Sequence, residues 1–378
     1  MSGPAPKSTI LDIKPYVPGK AKAAGFAAPL KLSANENALG CSPKARAAYV
    51  AAAENLHLYP DSKAIALREA IAAKHKLEAD RIVLGTGSDE IFSLVCQAYL
   101  SPGDAMVQPH YAFAAWAIAA KAAGARVVSA PERDYAVDVD ALLAAVDPTT
   151  RVVFVANPAN PTGTCVPFAD IQRLHAGLPE HVVLVLDAAY AEFAEGVPGY
   201  EDGMTLARTA PNVVLTRTFS KLHGLAALRI GWGYAAAPIV DALNRIRLPF
   251  NAATPAQAAA IAALGDSDFV ARSLTLVREM RPRLTHALTN AGLRTLPSAT
   301  NFVTALFPEG PEAARAMELH LAQCGILVRG LSGYDMPSAL RVTIGSDPEM
   351  LEFECALRGS AAAKRAGGSL GRNVPGSS

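Results

Sequence analysis

Short apolar runs alternate along this chain with longer segments in which apolar residues recur at helical spacing. Six runs have the length and composition of strands: residues 81–84, 105–107, 126–129, 151–156, 182–187 and 212–216. Helical segments such as 62–74, 90–100 and 112–123 separate most of them. Strands joined by helices form βαβ units, so we expect an α/β fold whose mainly parallel sheet carries helices on both faces. Ligands bind such sheets at the carboxyl ends of the strands.

The pattern changes after residue 265. A long helical segment at 268–291 is followed by short strand-like runs at 302–307, 326–329 and 340–344, with a helix at 311–324. This order predicts a second, smaller α+β domain. We expect a large domain at 36–265, the small domain at 266–362, an N-terminal segment 1–35 that joins the small domain, and a disordered, glycine-rich tail at 363–378.

Composition argues against several classes of protein. The chain of 378 residues holds 35 Lys+Arg against 34 Asp+Glu, a balance that disfavours an electrostatic nucleic-acid binder. Its cysteines and histidines lack metal-ligand spacing, so we expect no protein metal site. The longest uncharged runs, 152–169 and 248–265, are interrupted by prolines and asparagines, and the first ten residues lack a hydrophobic signal region. We therefore expect a cytoplasmic protein without a membrane span.

Two turns follow strand candidates. Residues 85–90 (GTGSDE) open a helix, and the free N–H groups and positive helix end there favour a phosphate. Taken alone, a short glycine-rich turn of this kind is more often an ordinary helix N-cap, here at Ser88 or Asp89. Residues 157–163 (NPANPTG) contain two Asn-Pro steps that stop a helix, so their asparagines either shape a turn or contact a cofactor.

Asp187 ends an otherwise apolar strand, and Tyr190 follows three residues later. A carboxylate in this position is costly unless it meets a cation or a hydrogen-bond donor. Its partner could be a metal or a protonated ring nitrogen, and the absence of metal-ligand spacing favours the ring nitrogen.

Lys221 is the only lysine between Lys121 and Lys364. A lysine amine that is held neutral attacks carbonyls and forms a Schiff base. The neighbouring hydroxyls and Arg229 could hold a phosphate, although a surface lysine at a helix start is the alternative. Taken together with Asp187 and the turn at 85–90, these groups match the aldehyde, the phosphate and the ring nitrogen of pyridoxal 5′-phosphate.

The motifs resemble those of the fold-type I, class II aminotransferases, which use pyridoxal 5′-phosphate, and most closely the histidinol-phosphate aminotransferase family. They are KPYVPGK at 14–20, LSANEN at 32–37, YPD at 59–61, GTGSDE at 85–90, NPTG at 160–163, D-x-x-Y at 187–190, SK at 220–221 and Arg341. The resemblance runs from residue 11 to about 358. It implies transamination between histidinol phosphate and 2-oxoglutarate, a step of histidine biosynthesis.

The resemblance also implies roles for single residues around the cofactor. Lys221 would form the Schiff base and then move the proton between substrate and cofactor, while Asp187 would keep the ring nitrogen protonated. Tyr190 and Asn160 would hydrogen-bond the ring oxygen, and Tyr111 would stack on the ring. The phosphate would be held by Gly87, Ser88, Asp89, Thr218, Ser220 and Arg229.

Other implied roles concern the substrate and a second subunit. Arg341 would bind the carboxylate of glutamate or 2-oxoglutarate, or the phosphate of histidinol phosphate, because a guanidinium suits both. Arg329, Tyr16 and Asn35 would complete the substrate site. Tyr59 would reach the cofactor of the neighbouring subunit, which implies a homodimer with shared active sites.

Two alternatives stay open at the level of sequence. An aromatic amino acid aminotransferase would share the mechanism, and a non-catalytic regulator that binds the cofactor is the more distant option. Ala159 stands where the family commonly has asparagine and Ala227 where it has glycine, but neither change removes a reacting group. His223, two residues after Lys221, is unusual, and its ring is either packed or exposed to solvent.

Overall fold

The structure, a computed structural model, describes residues 3–370, and side chains are described up to residue 359. The strands are β1 (Leu30–Lys31), β2 (Ile82–Gly85), β3 (Ala105–Pro109), β4 (Arg126–Ala130), β5 (Thr150–Ala156), β6 (Val183–Asp187), β7 (Val213–Thr218), β8 (Gly231–Ala235), β9 (Arg294–Thr295), β10 (Phe302–Leu306), β11 (Ile326–Leu327), β12 (Arg329–Gly330) and β13 (Ala339–Thr343). The helices are α1 (Ser8–Leu11), α2 (Pro43–Ala52), α3 (Ile65–His75), α4 (Ser88–Tyr99), α5 (Ala114–Ala123), α6 (Val139–Ala144), α7 (Phe168–Gly177), α8 (Met204–Thr209), α9 (Ala237–Ile246), α10 (Thr254–Leu264), α11 (Ser267–Asn290), α12 (Pro311–Gln323) and α13 (Asp347–Leu370). The predicted tail at 363–378 overlaps the end of α13, and residues 371–378 lie outside the described part.

Seven strands form the large sheet in the order β2-β8-β7-β6-β5-β3-β4. The five strands from β7 to β4 in this order pair in parallel, whereas β8 runs antiparallel to both of its neighbours. The six strands predicted from the sequence coincide with β2 to β7 to within a few residues. The predicted α/β sheet is therefore present.

Strand β8 was not predicted, because the glycines in its sequence GWGYA weaken the strand pattern. The structure explains one of these glycines. A Cβ on Gly231 would lie 2.5 Å from the backbone nitrogen of Ser88, which begins α4. Glycine at this position lets β8 pass directly under the start of that helix, where the predicted phosphate site lies.

Apolar side chains cover both faces of the large sheet. Val153 points into one buried cluster, whereas its neighbours Val152 and Phe154 point into a second cluster across the sheet. Alternate residues of a strand face opposite sides, so a strand buried on both faces reads as a continuous apolar run. Such a sheet is rigid, and it can hold polar side chains at its carboxyl edge in fixed positions.

A smaller sheet of four antiparallel strands, in the order β12-β13-β10-β9, packs with α11, α12 and α13 around a separate apolar cluster. Strand β1 pairs in parallel with β11, so the chain before residue 35 contacts the C-terminal strands. Within residues 3–370, no helix combines the length and the apolar character needed to cross a membrane.

Candidate active site

A cavity of about 150 Å³ opens at the carboxyl ends of β5, β6 and β7, beside the start of α4. Its lining is formed by Ser88, Asp89, Phe113, Asn160, Asp187, Ala189, Tyr190, Thr218, Ser220, Lys221, Ala226 and Arg229. Most of these residues are site residues that the sequence analysis selected from motifs spread over 140 positions. The parallel register brings their strand ends to one edge of the sheet.

Asp187 is the last residue of β6, and its side chain is buried. It accepts hydrogen bonds from the backbone N–H of Ala189 at 3.2 Å and from the hydroxyl of Thr216 at 3.3 Å. Burial raises its pKa to about 7, because these two neutral donors compensate only part of the lost hydration. A positively charged N–H beside this carboxyl would stabilise its ionised form.

Lys221 lies across the cavity, and its Nζ donates to the carbonyl oxygen of Ala34 at 3.2 Å. The Nζ atom is 5.9 Å from the centre of the Tyr190 ring. Burial, followed by the positive charge of Arg341, lowers the pKa of the Lys221 amine to about 8. A larger share of the amine is therefore neutral near physiological pH, which is the state that attacks an aldehyde.

An anion site lies between the start of α4 and the loop after β7. Arg229 donates to the Ser220 hydroxyl at 3.2 Å and to the Asp89 carboxylate at 3.0 Å, and the Thr218 hydroxyl accepts from the Ser220 N–H at 3.1 Å. A Cβ on Gly87, whose φ is +79°, would lie 2.5 Å from an Arg229 nitrogen. Glycine adopts this positive φ without strain, and the start of α4 that follows it offers backbone N–H groups to an anion.

Tyr190 is held by Asn35, whose side-chain N–H donates to the tyrosine hydroxyl oxygen at 2.9 Å. Burial raises the pKa of Tyr190 to about 12, so the hydroxyl keeps its proton at neutral pH. Because Asn35 donates to this oxygen, the hydroxyl hydrogen remains available for a ring oxygen. Asn35 thus contacts a cofactor-site residue, whereas the sequence analysis assigned it to the substrate.

Arg341 lies on β13 of the small sheet and reaches toward the large sheet. It donates to the Asn160 side-chain oxygen and, at 3.2 Å, to the carbonyl oxygen of Ser33. Its Nε is buried without a hydrogen-bond partner among the described residues. A buried guanidinium N–H that lacks a partner is costly, so an anionic ligand that accepted from this atom would remove that cost.

Arg329 is the direct cross-strand neighbour of Arg341. Like charges in this position are unfavourable unless an anion lies between them. Arg329 also donates to the carbonyl oxygen of Val17 at 2.7 Å, and its guanidinium carbon is 6.0 Å from the centre of the Tyr16 ring. These contacts bring Arg341, Arg329 and Tyr16 into one region beside the cavity.

Among the side chains that the sequence assigns to the cofactor, those of Tyr111 and Tyr59 do not line the cavity. The Tyr111 ring stacks on Tyr135, with the ring centres 5.3 Å apart, and Phe113 lines the cavity instead. Phe113 was missed, although an aromatic residue just after β3 is a usable signal. Tyr59 is 83% exposed and stacks on Phe250, with the ring centres 4.7 Å apart.

The donor set of this site fits pyridoxal 5′-phosphate in three places. Asp187 suits a protonated pyridine nitrogen, Lys221 suits an aldehyde, and the site at Gly87 and Arg229 suits a phosphate. Within the described residues no group of three or more His, Cys, Asp or Glu side chains is placed to hold a metal ion.

Comparisons with known proteins agree with this geometry. Histidinol-phosphate aminotransferase 1 of Caulobacter vibrioides is 54% identical over 345 residues, which are 91% of this chain and 96% of the relative. The histidinol-phosphate aminotransferase of Maricaulis maris is 51% identical over 91% of this chain and 95% of its own length. The crystal structure of histidinol-phosphate aminotransferase from Sinorhizobium meliloti in complex with pyridoxal 5′-phosphate has 30% identity and a TM-score of 0.86, covering 94% of this chain and 97% of that one.

These likenesses confirm the predicted fold class and the predicted enzyme class. The family model that matches describes aminotransferases of class I and II, and it covers residues 27–356, most of the chain. The chain therefore belongs to the class I and II aminotransferase family.

Proposed function

We propose that this enzyme is a histidinol-phosphate aminotransferase that depends on pyridoxal 5′-phosphate and exchanges the amino group between histidinol phosphate and 2-oxoglutarate. The observation that carries the proposal is the meeting of a buried acid, an amine of lowered pKa and an anion site around one cavity. The choice of substrate is supported by relatives of that name, 50–54% identical to this chain.

The bound cofactor would supply an electron-poor ring that stabilises negative charge on the substrate carbon bearing nitrogen. The chain's own residues do the rest. Asp187 would hold the proton on the ring nitrogen of the cofactor, and the Tyr190 hydroxyl would hydrogen-bond the ring oxygen. Lys221 Nζ would take the proton from the substrate carbon that bears the amino group and deliver it to the former aldehyde carbon of the cofactor, which its pKa of about 8 allows near neutrality.

Arg341 and Arg329 would bind the anionic end of both substrates. The two parallel N–H groups of a guanidinium match the planar carboxylate of glutamate, and they can also bind two oxygens of a phosphate. Histidinol phosphate carries no carboxylate, so its phosphate would occupy the place between these arginines. The unpartnered Nε of Arg341 supports this assignment.

The test is a half-reaction followed by absorbance, in which the bound cofactor changes from its pyridoxal to its pyridoxamine form. Histidinol phosphate should convert the cofactor at least about tenfold faster than phenylalanine or tyrosine at equal concentration. Comparable rates with the free aromatic amino acids would contradict a dedicated role in histidine biosynthesis. That result would favour the aromatic amino acid aminotransferase.

We also propose a homodimer in which Tyr59 contacts the phosphate of the neighbouring subunit's cofactor. Tyr59 lies among exposed apolar side chains, including Leu58 and Leu248, that are 58% and 70% exposed in the single chain. A surface of this kind is typical of a subunit interface. Tyr59→Phe keeps the ring that stacks on Phe250 but loses the hydroxyl.

This Tyr59→Phe variant should bind the cofactor about tenfold more weakly, as expected for one lost hydrogen bond to a charged group, without a change in dimer mass. Fluorescence titration and sedimentation measure the two quantities. A monomeric wild-type enzyme with full activity would refute the shared site.

The domain boundaries are part of the proposal: a large domain at 36–265, a small domain at 266–362, and an N-terminal segment 1–35 attached to the small one. The apolar cluster around the small sheet, to which the large domain contributes only Ala189, Tyr190, Phe193 and Leu222, and the pairing of β1 with β11 support this division. We place the enzyme in the cytoplasm, since all five of its cysteines are free, as is usual in a reducing compartment.

A further inference from the structure

A buried group of charges lies behind the active site. Arg217 is on β7, between Thr216 and Thr218, and its side chain points to the face of the sheet away from the cavity. There it pairs with Glu192 at 2.8 Å and with Asp202 at 2.5 Å. We call these three residues the Arg217 cluster; its side chains are 6%, 16% and 23% exposed. The cluster has no role in the proposed chemistry.

Each member of the cluster is joined to a segment that carries cofactor-site residues. Glu192 belongs to the 3₁₀ turn Ala191–Ala194, which begins directly after Tyr190. Arg217 lies between Thr216, which donates to Asp187, and Thr218 of the anion site. The ion pair of Glu192 with Arg217 therefore fixes the segment after β6 against β7.

Residues next to the cluster connect it to the loop that carries Asn160 and to the segment that carries Lys221. Tyr200 lies two residues before Asp202, and its hydroxyl donates to the carbonyl oxygen of Asn157 at 3.1 Å. The loop that carries Asn160 begins at Asn157. His223, two residues after Lys221, is buried, and the charges of Glu192 and Arg217 act on its ring in opposite directions.

Stability alone is a weak reason for such a cluster. Burying an ion pair costs hydration on both sides, and apolar residues of similar volume often serve as well. Although burial raises the pKa of Glu192, the charge of Arg217 holds it below the ordinary value, so the carboxylate is ionised at neutral pH. What an ion pair adds over apolar packing is a fixed geometry between the two segments.

We propose that the Arg217 cluster is a positioning device that sets the Tyr190 hydroxyl and the Lys221 amine relative to the cofactor ring. The inference rests on the proposed function. Glu192, Arg217 and Asp202 do not line the cavity, and they would act through the strand ends they hold. Their loss should therefore change the orientation of the bound cofactor before it prevents binding.

The test compares Glu192→Gln with Glu354→Gln in the full-length, cofactor-loaded enzyme. Glu354 is a matched control, since it accepts from Arg283 at 2.6 Å, is 19% exposed and lies in the small domain. Both variants should lose thermal stability. Only Glu192→Gln should change the circular dichroism of the bound cofactor and lower kcat about 10- to 100-fold, with KM changed less than about threefold.

If Glu192→Gln loses stability but keeps the cofactor signal and the wild-type kcat, the cluster is merely structural and the inference is wrong. Asp202→Asn repeats the test with the Arg217–Glu192 pair intact, so it applies even if Glu192→Gln does not fold. It should show the same changes at smaller size. A wild-type enzyme without transamination would instead refute the proposed function, and the inference with it.

Discussion

Asp187 and Glu192 are five residues apart, and both are buried carboxyl groups, yet their pKa values move in opposite directions. Burial raises the pKa of Asp187 to about 7, whereas Arg217 holds that of Glu192 below its ordinary value. Glu192 has its counter-ion within the chain, and Asp187 has only neutral donors. Of two buried acids, the one without an ion-pair partner among the described residues marks the place where a ligand's charge belongs.

The basic residues on the two sides of the sheet repeat this difference. Although burial alone would lower the pKa of Arg217, its two carboxylate partners raise it. Lys221, on the cavity side, has its pKa lowered to about 8 by burial and by Arg341. The charged groups behind the sheet thus have ion-pair partners within the chain, whereas Lys221 and Asp187 in the cavity are available to a ligand.

Lys221→Ala should have the largest effect. Without an amine for the cofactor aldehyde and for proton transfer, activity should fall about 10⁴-fold or more. Mass spectrometry after borohydride reduction should find the cofactor attached to the wild-type chain and absent from the variant. Lys44→Ala, which removes an exposed lysine paired with Asp266 at 3.7 Å, is the control and should keep both properties. A turnover by Lys221→Ala near that of the wild type would refute the whole assignment.

Asp187→Asn should give the next largest effect, and it is visible without cofactor. The folded protein keeps a proton on Asp187 up to about pH 7, whereas the unfolded chain loses it near pH 4, so the stability due to this group falls as pH rises between these values. Asparagine removes that loss. Between pH 4 and pH 8, the free energy of unfolding of the cofactor-free variant should therefore rise by up to about 4 kcal/mol relative to that of the wild type, as measured by urea unfolding.

The same Asp187→Asn variant should lose about 100-fold in kcat/KM, because an amide cannot stabilise a charged ring nitrogen as a carboxylate does. A stability difference that stayed constant from pH 4 to pH 8 would show that Asp187 is compensated inside the chain. The contrast with Glu192 would then fail.

Much of the fold was predictable because short apolar runs and helical spacing are local patterns. The site residues were predictable where a residue is out of place in its surroundings, as Asp187 is at the end of an apolar strand and Lys221 is in a stretch that otherwise uses arginine. Strand β8 was not predictable. Its glycines are needed because β8 packs closely against α4, and this contact exists only in the folded chain. The pairing of Arg217 with Glu192 across 25 positions also depends on the register of β6 and β7.

Arg341→Lys should have the smallest effect and should separate the two substrates. Lysine keeps the positive charge but loses the paired N–H groups, so a planar carboxylate should suffer more than a phosphate. We expect kcat/KM to fall about tenfold to 30-fold for glutamate and only about threefold for histidinol phosphate. Arg283→Lys, which changes an arginine paired with Glu354 in the small domain, should leave both values unchanged. Equal losses for both substrates would mean that the paired N–H groups of Arg341 do not distinguish a carboxylate from a phosphate, and the assignment of different binding modes to the two anions would be wrong.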